Sequence, residues 1–107
     1  MNFKIEEHSF WARIARHFFG SRKIAMVIGN TIHLSGVDKQ VFLSNSKWLI
    51  HELVHIEQYR KNGFLKFLLL YAIESIRHGY YNNRFEIEAR VAEENSVIIQ
   101  DCLIVSK

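Results

Sequence analysis

Ser44-Asn45-Ser46-Lys47-Trp48-Leu49-Ile50-His51-Glu52-Leu53-Val54-His55-Ile56-Glu57-Gln58-Tyr59-Arg60-Lys61-Asn62-Gly63 is the stretch around which the rest of the chain is arranged. Its opening Ser-Asn-Ser cluster is a helix-start signal. Trp48, Leu49, Glu52, His55, Ile56 and Tyr59 follow a period near 3.6. Arg60 and Lys61 fall in the last turn and Gly63 follows as a C-cap. The sequence therefore predicts a helix over about 47–62. Within it stands the pattern HExxH. Residues i and i+4 lie one above the other on a helix face, so His51 and His55 can reach one tetrahedral zinc, at roughly 2.0–2.1 Å per Zn–N bond. Glu52, beside them, is angled toward a zinc-bound water and can take its proton as general base. The pattern most often marks a zinc hydrolase.

Working outward, residues 7–19 predict a first amphipathic helix. Phe10, Ile14 and Phe18, with Trp11, Ala15 and Phe19, repeat at helical spacing, and Gly20 is a stop. Such a segment reads as a scaffold that packs into the core, although an aromatic-rich helix also suits a membrane surface or a partner. Residues 23–28 and 31–35 predict two strands joined by Gly29-Asn30, a tight hairpin signal. Alternation in the second strand puts Ile32 and Leu34 on one face and Thr31, His33 and Ser35 on the other. His33 then faces solvent or a cleft, with no other ligand type beside it. Val41, Phe42 and Leu43 read as a further short extended piece.

Downstream, residues 64–78 predict a nearly all-apolar helix, a buried central element or an oligomer interface over 64–76. His78 to Asn83 read as a loop, and 84–96 as a last helix. The tail 97–105 is apolar without a readable period. The expected fold class is α+β: a β-hairpin or short sheet packed with three to four helices.

With 107 residues the chain has room for one domain, 1–107, and one modest core. No proline and no low-complexity linker divides it. The apolar and charged fractions, 49% and 23%, are those of a globular soluble domain. The net charge of +3 is scattered, with Arg13, Arg16, Arg22 and Lys23 as the one local cluster. No nucleic-acid motif accompanies it, so a solvated helix end is the expected reading and a nucleic-acid partner is not. Cys102 is the single cysteine, so no internal disulfide is expected. No secretory signal is visible, and the longest apolar stretch, from Phe64 to Ile73, is short of the roughly 20 residues of a span. A cytoplasmic protein is the expectation.

Two histidines alone make a poor zinc site, since catalytic zinc normally takes three protein ligands and a water. The histidine form of the third ligand, HExxHxxGxxH, is absent: Gln58 stands in the glycine position and no histidine follows nearby. A glutamate from a later helix would complete a His₂Glu set. Glu74, Glu86, Glu88, Glu93 and Glu94 are the candidates. Glu74 sits on the apolar helix and suits a structural role. Glu93 and Glu94 read as a solvated side. Glu86 opens the last helix, and Glu88, two residues on, points elsewhere.

The HExxH helix, a helical excursion and then Asn83-Arg84-Phe85-Glu86-Ile87-Glu88-Ala89 resemble the gluzincin pattern. With the upstream hairpin, the order and size of elements are similar to minigluzincins, single-domain chains carrying only the catalytic core. The resemblance covers roughly residues 24–94. It implies that Glu86 is the third zinc ligand, with Ala89 in the small-residue position. Two departures stand out. Arg90 replaces an aspartate that in many gluzincins orients a zinc-bound histidine, so that acceptor must come from a backbone carbonyl or Glu93. Arg84 stands where relatives often have proline, which loosens the loop.

The function implied is a zinc metallopeptidase acting on a peptide or protein substrate. His51, His55 and Glu86 hold Zn²⁺, Glu52 is the general base, and His78, Tyr80 and Tyr81 are candidate stabilisers of the oxyanion. Strand 31–35 could pair with an extended peptide. Minimal relatives are often latent zymogens, which the resemblance extends to this chain: the tail 97–105 would fold over the cleft or bury itself against another copy. The alternative is a zinc-binding domain with little or no turnover, serving interaction or homo-oligomerisation through the 64–76 helix or the tail.

Overall fold

Gly29-Asn30 closes the expected hairpin. Strand β2 (Ile24–Ile28) runs antiparallel to β3 (Thr31–Ser35), Ile28 opposite Thr31 and Ile24 opposite Ser35. Glycine at the first loop position, with φ 65°, matches the twist of the flanking strands. The structure is a computed structural model that describes residues 3–94. It adds a strand that the sequence did not predict: β1 (Lys4–Glu6), parallel to β3 with Ile5 opposite Ile32. Three residues with one apolar position carry no readable period. The sheet order is β1-β3-β2, so β3 is paired on both sides and β2 forms an edge. Past β3, Gly36 takes φ 79°, and a Cβ there would lie 2.0 Å from the carbonyl oxygen of Arg22. Only glycine fits that approach.

Helix α1 (Phe10–Phe19) links β1 to β2. The Ser9 side chain accepts from the Ala12 N–H, and Gly20 ends the helix in the left-handed region. Its apolar residues do not enter the core as expected. Ala12 alone is buried, while Trp11 is 58% and Phe18 83% exposed. His33 is also placed differently. It is buried on the β3 face that meets α1, with Nδ1 2.8 Å from Ser9 Oγ and 3.0 Å from Glu6 Oε2.

Residues 41–43 are helical, not extended, and belong to α2 (Lys39–Ser44). Asp38 accepts the Val41 N–H at 2.8 Å and Phe42 is fully buried. Three adjacent apolar residues suit one helical turn as well as a strand, so the cap decides.

Helix α3 (Ser46–Asn62) carries HExxH. Asn45 Oδ1 accepts the Trp48 N–H at 3.1 Å, and the Gly63 N–H closes the last turn on the Tyr59 carbonyl. Ile56 joins Ile32, Leu34 and Phe42 in the principal core, so α3 covers the sheet face opposite α1. Helix α4 (Phe64–His78) is not a buried central element: Phe67 alone is buried, and Leu65 and Ile76 are 78% and 85% exposed. Helix α5 is described over 84–94. Tyr59, Phe67 and Phe85 form a second core that joins α3, α4 and α5. The class is α+β, a small mixed sheet with five helices among the described residues. No helix among the described residues is long and apolar enough to cross a membrane. The tail 97–105 lies outside the described residues.

Candidate metal centre

The i, i+4 spacing on α3 sets the rings of His51 and His55 with centroids 4.9 Å apart. Glu86, in the first turn of α5, arrives from the other side. Its Oε1 lies 2.9 Å from His51 Nε2 and 3.1 Å from His55 Nε2. The three ligand atoms fall within 4.8 Å of one another, a group that could hold a metal ion. In a tetrahedral zinc site with bonds near 2.0–2.1 Å, ligand atoms are about 3.3 Å apart, so only a small outward shift separates this arrangement from coordination. Glu88, on the divergent side, accepts from Gln58 Nε2 at 3.3 Å.

Glu52 lines the same cleft as His55 and Glu86. It is 4% exposed, and its Oε2 has no hydrogen-bond partner among the described residues. A buried carboxylate oxygen without a partner is costly unless a ligand or water completes it. Two imidazoles, one carboxylate and one orphaned carboxylate oxygen fit a metal with its water.

The remaining ring nitrogens are fixed from behind. His55 Nδ1 lies 2.8 Å from Gln58 Oε1. Gln58 Nε2 donates to the Phe85 carbonyl at 3.1 Å, which identifies the other amide atom as the oxygen. His55 therefore donates from Nδ1 to Gln58, which leaves Nε2 as the atom that meets Glu86 and that would ligate a metal. His51 Nδ1 donates to Glu93 Oε1 at 2.6 Å. Glu93 was expected on a solvated side or as a replacement acceptor. It is the acceptor, and Arg90 turns away to the Tyr81 carbonyl and ring.

Glu86 is oriented by two residues that the sequence reading passed over. Tyr71 of α4 donates its hydroxyl to Glu86 Oε2, leaving Oε1 to the histidines. Asn83, fully buried, caps α5 by accepting the Phe85 N–H at 2.8 Å. Its Nδ2 donates to the Tyr71 carbonyl and to Ser75 Oγ, at 3.1 and 3.0 Å, tying α5 to α4. Arg84 does not loosen this junction, since its N–H donates to Glu74 Oε1 at 3.2 Å, a bond that proline could not make. Glu74 thus has the structural role expected of it.

Charge follows this wiring. Burial pushes the Glu52 carboxyl up to about 8; His55 opposes this, and the negative charges of Glu86 and Glu93 add to it. Burial lowers both histidines, but hydrogen bonds and charge from Glu86, joined at His51 by Glu93, outweigh it and hold both above the usual range. Burial works against ionised Glu86, yet hydrogen bonds from His51, His55 and Tyr71 hold it well below the usual carboxylate range.

Glu52, His55 and Glu86 open onto a cleft of about 810 Å³, walled by α1 and α4 and running along all of β2. Tyr80 lines it, its hydroxyl pushed up to about 12 by burial and by the charges of Glu86 and Glu52. His78 and Tyr81 are exposed and not among the cleft-lining residues. Strand 31–35, expected to meet a peptide, is central and paired on both sides; the edge beside the cleft is β2. Comparison with protein-family models, with curated proteins and with solved structures found no match.

Proposed function

We propose that this chain is a zinc-dependent peptidase of gluzincin-like design. The observation that carries the reading is the meeting of Glu86 Oε1 with both Nε2 atoms of the HExxH helix, while Glu52 Oε2 has no partner among the described residues at the cleft. His51, His55 and Glu86 would hold the metal, and zinc bound there supplies a Lewis acid for the scissile carbonyl and an acidified water. Glu52 Oε2 receives the proton of the attacking water and returns it to the departing amine. Tyr80, of the three stabilisers expected, is the one lining the cleft, and its hydroxyl is the donor proposed for the oxyanion. The outer edge of β2 offers backbone groups to an extended peptide, the usual mode of strand addition. Tyr71 is already engaged with Glu86 and acts by holding that carboxylate in place.

Latency through residues 97–105 and a cytoplasmic setting remain parts of this proposal. The second reading, a zinc-binding domain with little turnover that serves interaction or homo-oligomerisation, draws on the exposed apolar face of α4. Glu52→Gln separates the two. On the peptidase reading, the variant binds zinc in equal amount and loses hydrolysis of an unstructured protein substrate that the wild type cleaves. Equal hydrolysis by variant and wild type overturns it.

A further inference from the structure

Both walls of the cleft present apolar faces that nothing in the described chain covers. On α1, Phe10, Trp11, Ile14 and Phe18 fall within about 100° of arc, adjoining the side on which Ala15 and Phe19 line the cleft. On α4, Leu65, Leu69 and Ile76 form a similar exposed strip beside Leu68, which also lines the cleft. Within the cleft that separates the two strips, the rings of Phe19 and Tyr80 are 5.9 Å apart. The cleft is thus flanked on two walls by grouped exposed apolar residues, unlike the single scattered ones that ordinary surfaces tolerate.

Outside the cleft, which holds Glu52 and Glu86, the charge on these two helices is mostly basic. From His8 to Val37 the chain carries Arg13, Arg16, Arg22 and Lys23 and no acidic residue. Helix α4 adds Lys66 and Arg77, and its one carboxylate, Glu74, accepts the backbone N–H of Arg84. Arg13 and Arg16 also border a second cavity of about 440 Å³ with His8 and Asp38. Arg16 Nε is buried there without a partner among the described residues, whereas Asp38 is committed to capping Val41. A second copy placed on this surface would bring like charges together. A bilayer with anionic headgroups matches both the apolar strips and the basic margin.

We propose that the cleft-flanking faces of α1 and α4 dock on an anionic lipid bilayer, with Trp11 and Phe18 entering the headgroup boundary and Arg13, Lys66 and Arg77 meeting lipid phosphates. The cleft mouth then faces the membrane. The docking does not depend on the peptidase reading, and its test involves no catalysis.

The test is co-sedimentation of the full chain with vesicles of phosphatidylcholine alone and of an equimolar mixture with phosphatidylglycerol. Trp11 is read by fluorescence in a Trp48→Phe background, with brominated lipid as quencher. The expected result is binding to the mixed vesicles, quenching of Trp11, and little binding to the neutral ones. Trp11→Ser with Phe18→Ser, and separately Arg13→Glu with Lys66→Glu, should each lower binding by about tenfold or more. These side chains are exposed, so circular dichroism should match wild type. Absence of binding to the mixed vesicles, or binding that neither pair of substitutions alters, overturns the proposal. So does a concentration-dependent dimer that Leu65→Glu with Leu69→Glu dissolves while vesicles stay unbound. A surface already covered by residues 95–107 would leave Trp11 unquenched, which overturns it as well.

Discussion

Glu93 Oε1 lies 2.6 Å from Nδ1 of His51, bridging the end of α5 to the HExxH helix. A carboxylate behind an imidazole fixes the ring's orientation and raises its basicity as a ligand. Glu93→Ala should therefore weaken zinc binding by about 10–100-fold. Glu93→Gln keeps an acceptor without the charge and should fall between that variant and wild type. Competition against a chromogenic chelator measures both. Unchanged affinity in the alanine variant would show that His51 needs no partner.

Tyr71→Phe keeps the ring between Phe67 and Phe85 and removes only the hydroxyl that holds Glu86 Oε2. Its expected effect is on the metal rather than on the fold: about tenfold weaker zinc binding, and stability within about 1 kcal/mol of wild type. Loss of stability without loss of affinity would assign Tyr71 to packing alone.

Without zinc, stability should fall as pH rises. Glu52 is pushed up to about 8 when folded, against an ordinary value of 4.5. Between these values the folded state holds a proton that the unfolded chain has released, so its contribution is full below 4.5 and is lost as pH rises toward 8. His51 and His55, also raised, act in the same direction above 6.5. Glu86, held low, acts oppositely: its contribution is present above 4.5 and is lost on acidification below it. Urea unfolding of metal-free protein at about pH 5 and about pH 8 should differ by a few kcal/mol, and Glu52→Gln should flatten that difference. An equal slope in the variant would remove Glu52 from the account.

Asn83→Ala deletes a helix cap and leaves the Tyr71 carbonyl and Ser75 hydroxyl short of a donor. The expected loss is about 2–3 kcal/mol of unfolding free energy. Asn83→Ser restores the cap alone and should recover roughly 1 kcal/mol. A loss below about 0.5 kcal/mol would mean that water replaces these bonds.

Strong local signals in the sequence were legible. Asn45, Gly63, Gly29-Asn30 and Gly20 marked caps and turns that the structure keeps, and His51, His55 and Glu86 come together as a group that could hold a metal ion. What was missed is written in tertiary contact. Tyr71 sits among leucines, and nothing in spacing tells that its hydroxyl meets a carboxylate on another helix. Gln58, three residues after His55, was weighed only as a missing glycine. Asn83 did carry a readable cap signal before Phe85-Glu86. The misplacement of Phe18 and Leu65 has a different cause: periodicity reports that a helix has an apolar face, not what covers it.

Glu86 also sets an order of events. Synthesis delivers His51 and His55 first, then the whole of α4, and only afterwards the residue that completes the triad. A ribosome-bound chain cut short between α3 and α5 holds both imidazoles without Glu86. On the proposed reading, a metal held by all three residues could be bound in full only once α5 has been made.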